Sequence, residues 1–118
     1  MSYKEGKVWG ETTPLIINHL IEIHKVRANP GGYCSKHSHT RKWNAFIVVE
    51  GHLKIKVWKK DYDLVDETLL GPGDITTVKP GEFHQFEVRG RSRCVFYEVY
   101  YLEGLGPDIN RESCGGHA

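Results

Sequence analysis

The sequence predicts an all-β domain, either a barrel or a sandwich of short strands. Glycine and proline recur at short intervals along the 118 residues. The segments between them are rich in Val, Ile, Phe and Tyr and are mostly too short for helices. No long stretch repeats apolar residues at the helical period. Regularly spaced turns between short apolar runs are typical of sandwiches and barrels, and the length fits one domain.

Six segments combine strand-forming residues with flanking turns. We predict strands at Ile21–Ala28, Ala45–Val49, Leu53–Trp58, Asp74–Val78, His84–Val88 and Arg93–Leu102. The second and third of these flank residues 50–52 and form a hairpin. In the third, apolar Leu53, Ile55 and Val57 alternate with lysines, so one face is buried and the other is in water.

Composition excludes several classes of function. Lysine and arginine number 16 against 15 acidic residues, so we expect no nucleic-acid partner and no membrane partner. Apolar runs are too short for a membrane-spanning helix, and the start lacks the apolar stretch of a signal peptide. The odd number of cysteines, Cys34, Cys94 and Cys114, indicates free thiols in a reducing compartment, and we predict a cytoplasmic protein.

Histidines provide the strongest functional pattern. His37 and His39 are two residues apart, so in an extended segment both side chains leave the same face. His84 follows Pro80-Gly81 in a turn-rich segment and can approach from a neighbouring strand. Three converging imidazoles can hold one divalent metal ion. The other histidines are predicted at the surface, in turns or in the tail: His19, His24, His52 and His117.

These spacings resemble the two motifs of the cupin superfamily. In the first motif, Gly32 precedes His37 and His39, Asn44 follows after four residues, and Gly51 closes it. The second motif contains Gly73-Asp74, then Pro80-Gly81 and then His84. The resemblance implies a single-domain cupin, a double-stranded β-helix or jelly-roll barrel, over residues 1–111. Residues 112–118 are predicted to be a flexible C-terminal tail.

Shorter segments resemble the cupin domain of type II mannose-6-phosphate isomerases. They are residues 7–10 (KVWG), 24–31, 48–51 (VVEG) and 108–111 (DINR). In that family an arginine and a lysine near the metal hold the sugar phosphate. The matching residues are Arg111 and Lys25. The resemblance implies an isomerase or epimerase with a phosphorylated or nucleotide-linked sugar as its small-molecule ligand. The wider cupin resemblance implies a homodimer.

The cupin resemblance also implies the ligands of the metal. They are His37, His39, His84 and the residue at the position of Asn44, where most metal-binding cupins have glutamate. An amide oxygen is a poorer donor than a carboxylate. Three histidines could therefore bind the ion with Asn44 outside the coordination sphere, all four could bind it weakly, or the metal could be lost. The ion itself could be Zn, Mn, Fe or Ni.

Aldose–ketose isomerisation needs a base that moves a proton between adjacent carbons. Glu82, Glu98 or a metal-bound hydroxide could serve, and the spacing does not choose among them. Glu98 lies within an apolar strand, and if it faces inward its pKa should rise. Two other classes of function stay open. They are a three-histidine mononuclear iron oxygenase, which Asn44 fits better than it fits an isomerase, and a non-catalytic sugar-binding barrel.

Overall fold

The chain folds into short β-strands joined by turns, as the sequence predicts. The structure is a computed structural model and describes residues 5–59, 64–103 and 106–118. Its strands are β1 Glu5–Lys7, β2 Gly10–Ile17, β3 Ile21–Ala28, β4 Trp43–Glu50, β5 His52–Trp58, β6 Val65–Leu70, β7 Ile75–Val78, β8 Phe83–Arg89 and β9 Cys94–Tyr101. Within these ranges no helix is long and apolar enough to cross a membrane.

The strands form two antiparallel sheets that enclose one core. The larger sheet has six strands in the order β1-β2-β3-β9-β4-β7, and the smaller has three in the order β6-β5-β8. Phe46 and Phe96 of the larger sheet and Phe86 of the smaller are almost fully buried. The rings of Phe86 and Phe96 meet edge to face at 5.1 Å, a favoured aromatic geometry. This is the all-β jelly-roll that the sequence predicts.

The loop between β3 and β4 runs along the free edge of β8. Val88 donates its backbone N–H to Gly32, and Cys34 donates its own to Phe86. His37 and His84 then exchange two backbone hydrogen bonds, of 3.1 and 2.8 Å. These bonds cover an edge that would otherwise be open. They also fix the first predicted histidine segment against the second.

All six predicted strands are present, with ends that differ by at most two residues. The predicted alternation in β5 is confirmed, because Leu53 and Ile55 are buried whereas Lys54 and Lys56 are partly exposed. Among the described residues, β1, β2 and β6 were not predicted. Pro14 interrupts β2 at a bulge, and β6 is largely exposed, so neither shows a clear apolar alternation. Residues 106–118 are exposed and contain no strand.

Candidate metal centre

The three predicted histidines converge. One nitrogen from each of His37, His39 and His84 lies within 4.8 Å of the others. The His37 and His84 rings are 4.5 Å apart, centroid to centroid, and His39 lies 5.1 Å from His37 and 5.4 Å from His84. We call these three residues the histidine cluster. Two widely separated segments of the chain meet here, which is the arrangement on which the functional prediction depends.

Backbone carbonyls orient two of the three rings. His37 Nδ1 donates to the carbonyl oxygen of Ser35 at 2.7 Å, and His84 Nδ1 donates to that of Glu82 at 3.0 Å. Because a carbonyl only accepts, the proton of each neutral ring must lie on Nδ1. The Nε2 atoms therefore carry free lone pairs. Metal-binding histidines are usually held by such a bond from the other ring nitrogen.

In the ranges that the structure describes, the Nε2 atoms of His39 and His84 have no hydrogen-bond donor facing them, and a cation could take that place. His39 Nε2 is buried and has no hydrogen-bond partner among the described residues. His84 Nε2 faces the Asn44 side-chain oxygen at 3.1 Å, although both atoms present lone pairs. Burial, together with the neighbouring imidazoles, lowers the pKa of His39 to about 4. Burial also lowers the pKa of His84. Both shifts favour the neutral imidazole, which is the form that binds a divalent metal ion.

A buried carboxyl group lies next to the cluster. Glu98 is in β9 and is only 8% exposed. The Tyr100 hydroxyl donates to its Oε2 at 2.5 Å, and the Asn44 amide also hydrogen bonds to it. Burial raises the pKa of Glu98 despite these two bonds, which confirms the direction predicted for an inward-facing side chain. Asn44 thus bridges the carboxyl group and the cluster.

Two cavities adjoin the cluster. The Glu98 cavity, of about 460 Å³, is lined by Trp9, His24, His37, Phe86, Glu98 and Tyr100 among others. The Arg41 cavity, of about 450 Å³, is lined by Glu22, Ser38, His39, Arg41, Lys42 and Tyr100 among others. Each cavity is therefore bordered by one cluster histidine. Tyr100 lines both cavities, and its ring lies 5.0 Å from that of His39.

Comparison with known proteins identifies the family. Residues 24–100 match the family model of the cupin domain. The chain belongs to the cupin family. A germin-like protein, subfamily T member 3, of Arabidopsis thaliana is 32% identical over 74 residues, which are 63% of this chain and 32% of that protein. This cupin thus spans about a third of the curated relative that it matches.

Solved structures share the fold at low sequence identity. The capsular polysaccharide assembling protein CapF of Staphylococcus aureus has a TM-score of 0.77 and 20% identity, over 91% of this chain and 30% of that one. KdgF of Halomonas has a TM-score of 0.72 and 13% identity, over 86% and 89%. Oxalate decarboxylase of Bacillus subtilis has a TM-score of 0.75 and 15% identity, over 86% and 27%.

The structure does not bring Lys25 or Arg111 to the cluster of this cupin. Lys25 pairs with Tyr97 and follows His24, which lines the Glu98 cavity. Successive strand residues face opposite sides, so Lys25 points away from that cavity. Arg111 lies in the exposed C-terminal segment and lines neither cavity. Neither residue lines a cavity next to the histidine cluster, and their role as phosphate contacts stays a prediction. Glu82, an alternative base, forms an ion pair with Lys59 at 2.6 Å.

The structure adds residues that the sequence analysis missed. His24 was predicted at the surface, and this is wrong, since it lines the Glu98 cavity with its ring 5.8 Å from that of Tyr100. Its position could have been inferred, because His24 alternates in β3 with buried Val26 and Ala28. Tyr100 could likewise have been found from its position two residues after Glu98, on the same face of β9.

Proposed function

We propose that this cupin is a metal-dependent isomerase or epimerase that acts on a phosphorylated or nucleotide-linked sugar. The observation that carries the proposal is the position of Glu98. Its buried carboxyl group and the ring of His37 line the same cavity. A substrate in that cavity could approach the histidine cluster and an acid–base group at the same time, and proton transfer next to a carbonyl group needs both.

His37, His39 and His84 would hold the metal, and the Asn44 side-chain oxygen would be a weak fourth ligand. When bound, the ion would stabilise the negative charge that develops on the substrate oxygen during enolisation. The neutral rings leave the whole charge of the ion available for this role. An amide oxygen in place of a carboxylate has the same effect, since it adds no negative charge to the centre.

Glu98 would move the proton. As a carboxylate it would take a proton from the carbon next to the substrate carbonyl. It would return that proton to the neighbouring carbon in an isomerisation. In an epimerisation Glu98 would keep the proton it took, and a proton donor on the other side of the substrate would protonate the opposite face of the same carbon. Tyr100 donates to the carboxyl oxygen Oε2 and the Asn44 amide also hydrogen bonds to the group, so these two side chains would hold the carboxylate in place while it moves the proton. Burial raises the basicity of the carboxylate by removing water from it.

Carbohydrate is the substrate class that the similarities favour. The short segments of the chain that resemble type II mannose-6-phosphate isomerases point to a sugar phosphate. CapF, which shares the fold, is named for capsular polysaccharide assembly. The Glu98 cavity also offers the mixture of surfaces that a sugar needs: the aromatic rings of Trp9 and Phe86 beside the polar groups of His24 and Tyr100.

Hydrogen exchange tests the proposal directly. Metal content of the purified protein is measured first, and the protein is then incubated in D₂O with a panel of aldose phosphates, ketose phosphates and nucleotide-linked sugars. Proton NMR should show loss of a carbon-bound hydrogen from one substrate. Glu98→Gln should slow the exchange at least about 100-fold with unchanged metal content. The exposed Glu103 provides the control Glu103→Gln, which should exchange like wild type.

Exchange that is as fast in Glu98→Gln as in wild type would contradict the role of Glu98. A metal-loaded protein that exchanges no hydrogen with any member of the panel would contradict the isomerase itself. Retention of a sugar by protein that lacks metal, without turnover, would instead establish a binding barrel.

A three-histidine iron oxygenase is the second candidate, and the observation that favours it is Asn44. No carboxylate belongs to the histidine cluster among the described residues, so the donor set is neutral. Protein loaded with Fe²⁺ under nitrogen and then exposed to air with a candidate substrate would consume dissolved oxygen, as an oxygen electrode measures. Oxygen uptake that depends on substrate would favour this candidate over the isomerase.

A further inference from the structure

One side of the Arg41 cavity is rich in hydrogen-bond donors. The segment Ser38–Lys42 places two hydroxyl groups, a guanidinium and an ammonium group around His39. All of these residues line the cavity. The four groups around His39 can all donate hydrogen bonds, and among these four the hydroxyl groups also accept. A wall of this composition is suited to a negatively charged group.

Arg41 is the free charge of this wall. The acid of the cavity, Glu22, is already engaged, because it accepts from Lys42 at 3.2 Å and faces His24 at 3.4 Å. Lys42 also lies 5.6 Å from the Tyr100 ring. Arg41, by contrast, has neither an ion pair nor a hydrogen bond from its side chain within the described part of the chain. One positive charge therefore remains without compensation beside the cavity.

Arg41 shares its cavity with one histidine of the cluster. His39 lines the same cavity as Arg41, and its buried Nε2 has no partner among the described residues. A ligand in the Arg41 cavity can thus contact both the guanidinium and His39 of the histidine cluster. A guanidinium binds carboxylate and phosphate through two parallel hydrogen bonds, so it would also orient the ligand.

We propose that the Arg41 cavity binds the anionic group of the ligand, a phosphate or a carboxylate, through Arg41 with help from Ser38 and Thr40. The inference rests on the proposed function, since it names where the charged end of that substrate lies. It transfers the anion contact from Lys25 and Arg111, which lie away from the cluster, to a residue that the sequence comparison did not single out. The reacting part of the ligand then lies towards Tyr100, which borders both cavities.

Anion binding is the test, with inorganic phosphate and acetate as separate probes titrated into metal-loaded protein and followed by calorimetry. Arg41→Ala should weaken binding of at least one probe about tenfold or more, as expected for a lost charge-assisted hydrogen bond. The matched control is Arg91→Ala, because Arg91 is exposed, lies in the turn after β8 and lines neither cavity. It should change the affinity less than twofold.

If Arg41→Ala weakens the binding of phosphate more than that of acetate, the anion is a phosphate. If acetate loses more affinity, the anion is a carboxylate. An equal, small effect of Arg41→Ala and Arg91→Ala on both probes would overturn the inference, because the anion would then be held elsewhere or by the metal alone. Arg41→Lys should recover only part of the affinity, since it keeps the charge but loses the paired donors. The same titrations on metal-free protein show whether Arg41 holds the anion when no metal is bound. Failure of the proposed function is a separate result, because metal analysis and hydrogen exchange decide it independently.

Discussion

Gly51, which closes the first cupin motif, should tolerate no side chain. It lies between β4 and β5 with a φ angle of 81°, in the left-handed region where a side chain costs about 1–2 kcal/mol. A Cβ atom at this position would also lie 2.5 Å from the carbonyl oxygen of Arg93 and 3.0 Å from the Cα atom of Cys94. Both neighbours are backbone atoms and cannot move aside without shifting the start of β9.

Gly51→Ala should therefore carry two penalties. The conformational cost of about 1–2 kcal/mol is joined by about 1–3 kcal/mol for overpacking against a fixed backbone, giving about 2–5 kcal/mol of lost stability. Gly90→Ala is the matched control, because Gly90 has a φ angle of 82° and nothing within 4 Å of the added atom. It should lose only the conformational cost of about 1–2 kcal/mol.

Urea unfolding followed by tryptophan fluorescence measures both variants, and the difference in midpoint at constant m-value gives the steric term. In thermal melts followed by circular dichroism, each kcal/mol should lower the midpoint by about 4 °C for a chain of this size. Equal losses for the two variants would refute the reasoning, because they would show that β9 yields to the added methyl group at no cost.

Three further outcomes follow from the structure. Burial raises the pKa of Cys34 to about 12 and that of Cys94 to about 11, so an aromatic disulfide reagent at pH 8 should titrate only the exposed Cys114 until urea is added. A hydrogen bond from Lys56 at 2.7 Å lowers the pKa of Glu87 below 4.5. Glu87→Gln should therefore lose about 0.5–1 kcal/mol at pH 7, and the deficit should vanish as the pH falls through that lowered pKa, as unfolding at several pH values would show. Zn²⁺ at about 100 times its dissociation constant should add about 2.7 kcal/mol of stability, and replacing the whole histidine cluster with alanine should abolish that gain in thermal melts.

The sequence predicted those features that depend on spacing along the chain. The two-residue interval between His37 and His39 predicted that their rings lie on one face, and the rings are close together. The alternation in β5 predicted which side of that strand is buried. The spacing of the two cupin motifs predicted that His84 lies next to these two histidines, as it does. These predictions succeed because the period of an extended backbone is fixed by its geometry.

Features that depend on how strands align with one another could not be predicted in this way. Glu98 lies beside the cluster because β9 is inserted between β3 and β4, which pairs it with both His24 and Phe46. Register of this kind is set by the whole packed sheet. Lys25 is a second example. To predict whether Lys25 or His24 faces the cavity, one must know which side of β3 faces the interior, and the sequence alone does not show this.

The two backbone hydrogen bonds between His37 and His84 bear on how the proposed metal ion would enter and leave the histidine cluster. Backbone hydrogen bonds hold these two segments together without help from a cation, so the fold itself keeps two of the three histidines side by side. Chelation should then empty the centre without unfolding the barrel, unlike a zinc finger, whose fold collapses when its metal leaves. A centre held in this way would take up one transition metal in place of another, so the availability of metals in the surroundings, as much as the ligands, would decide which ion it held.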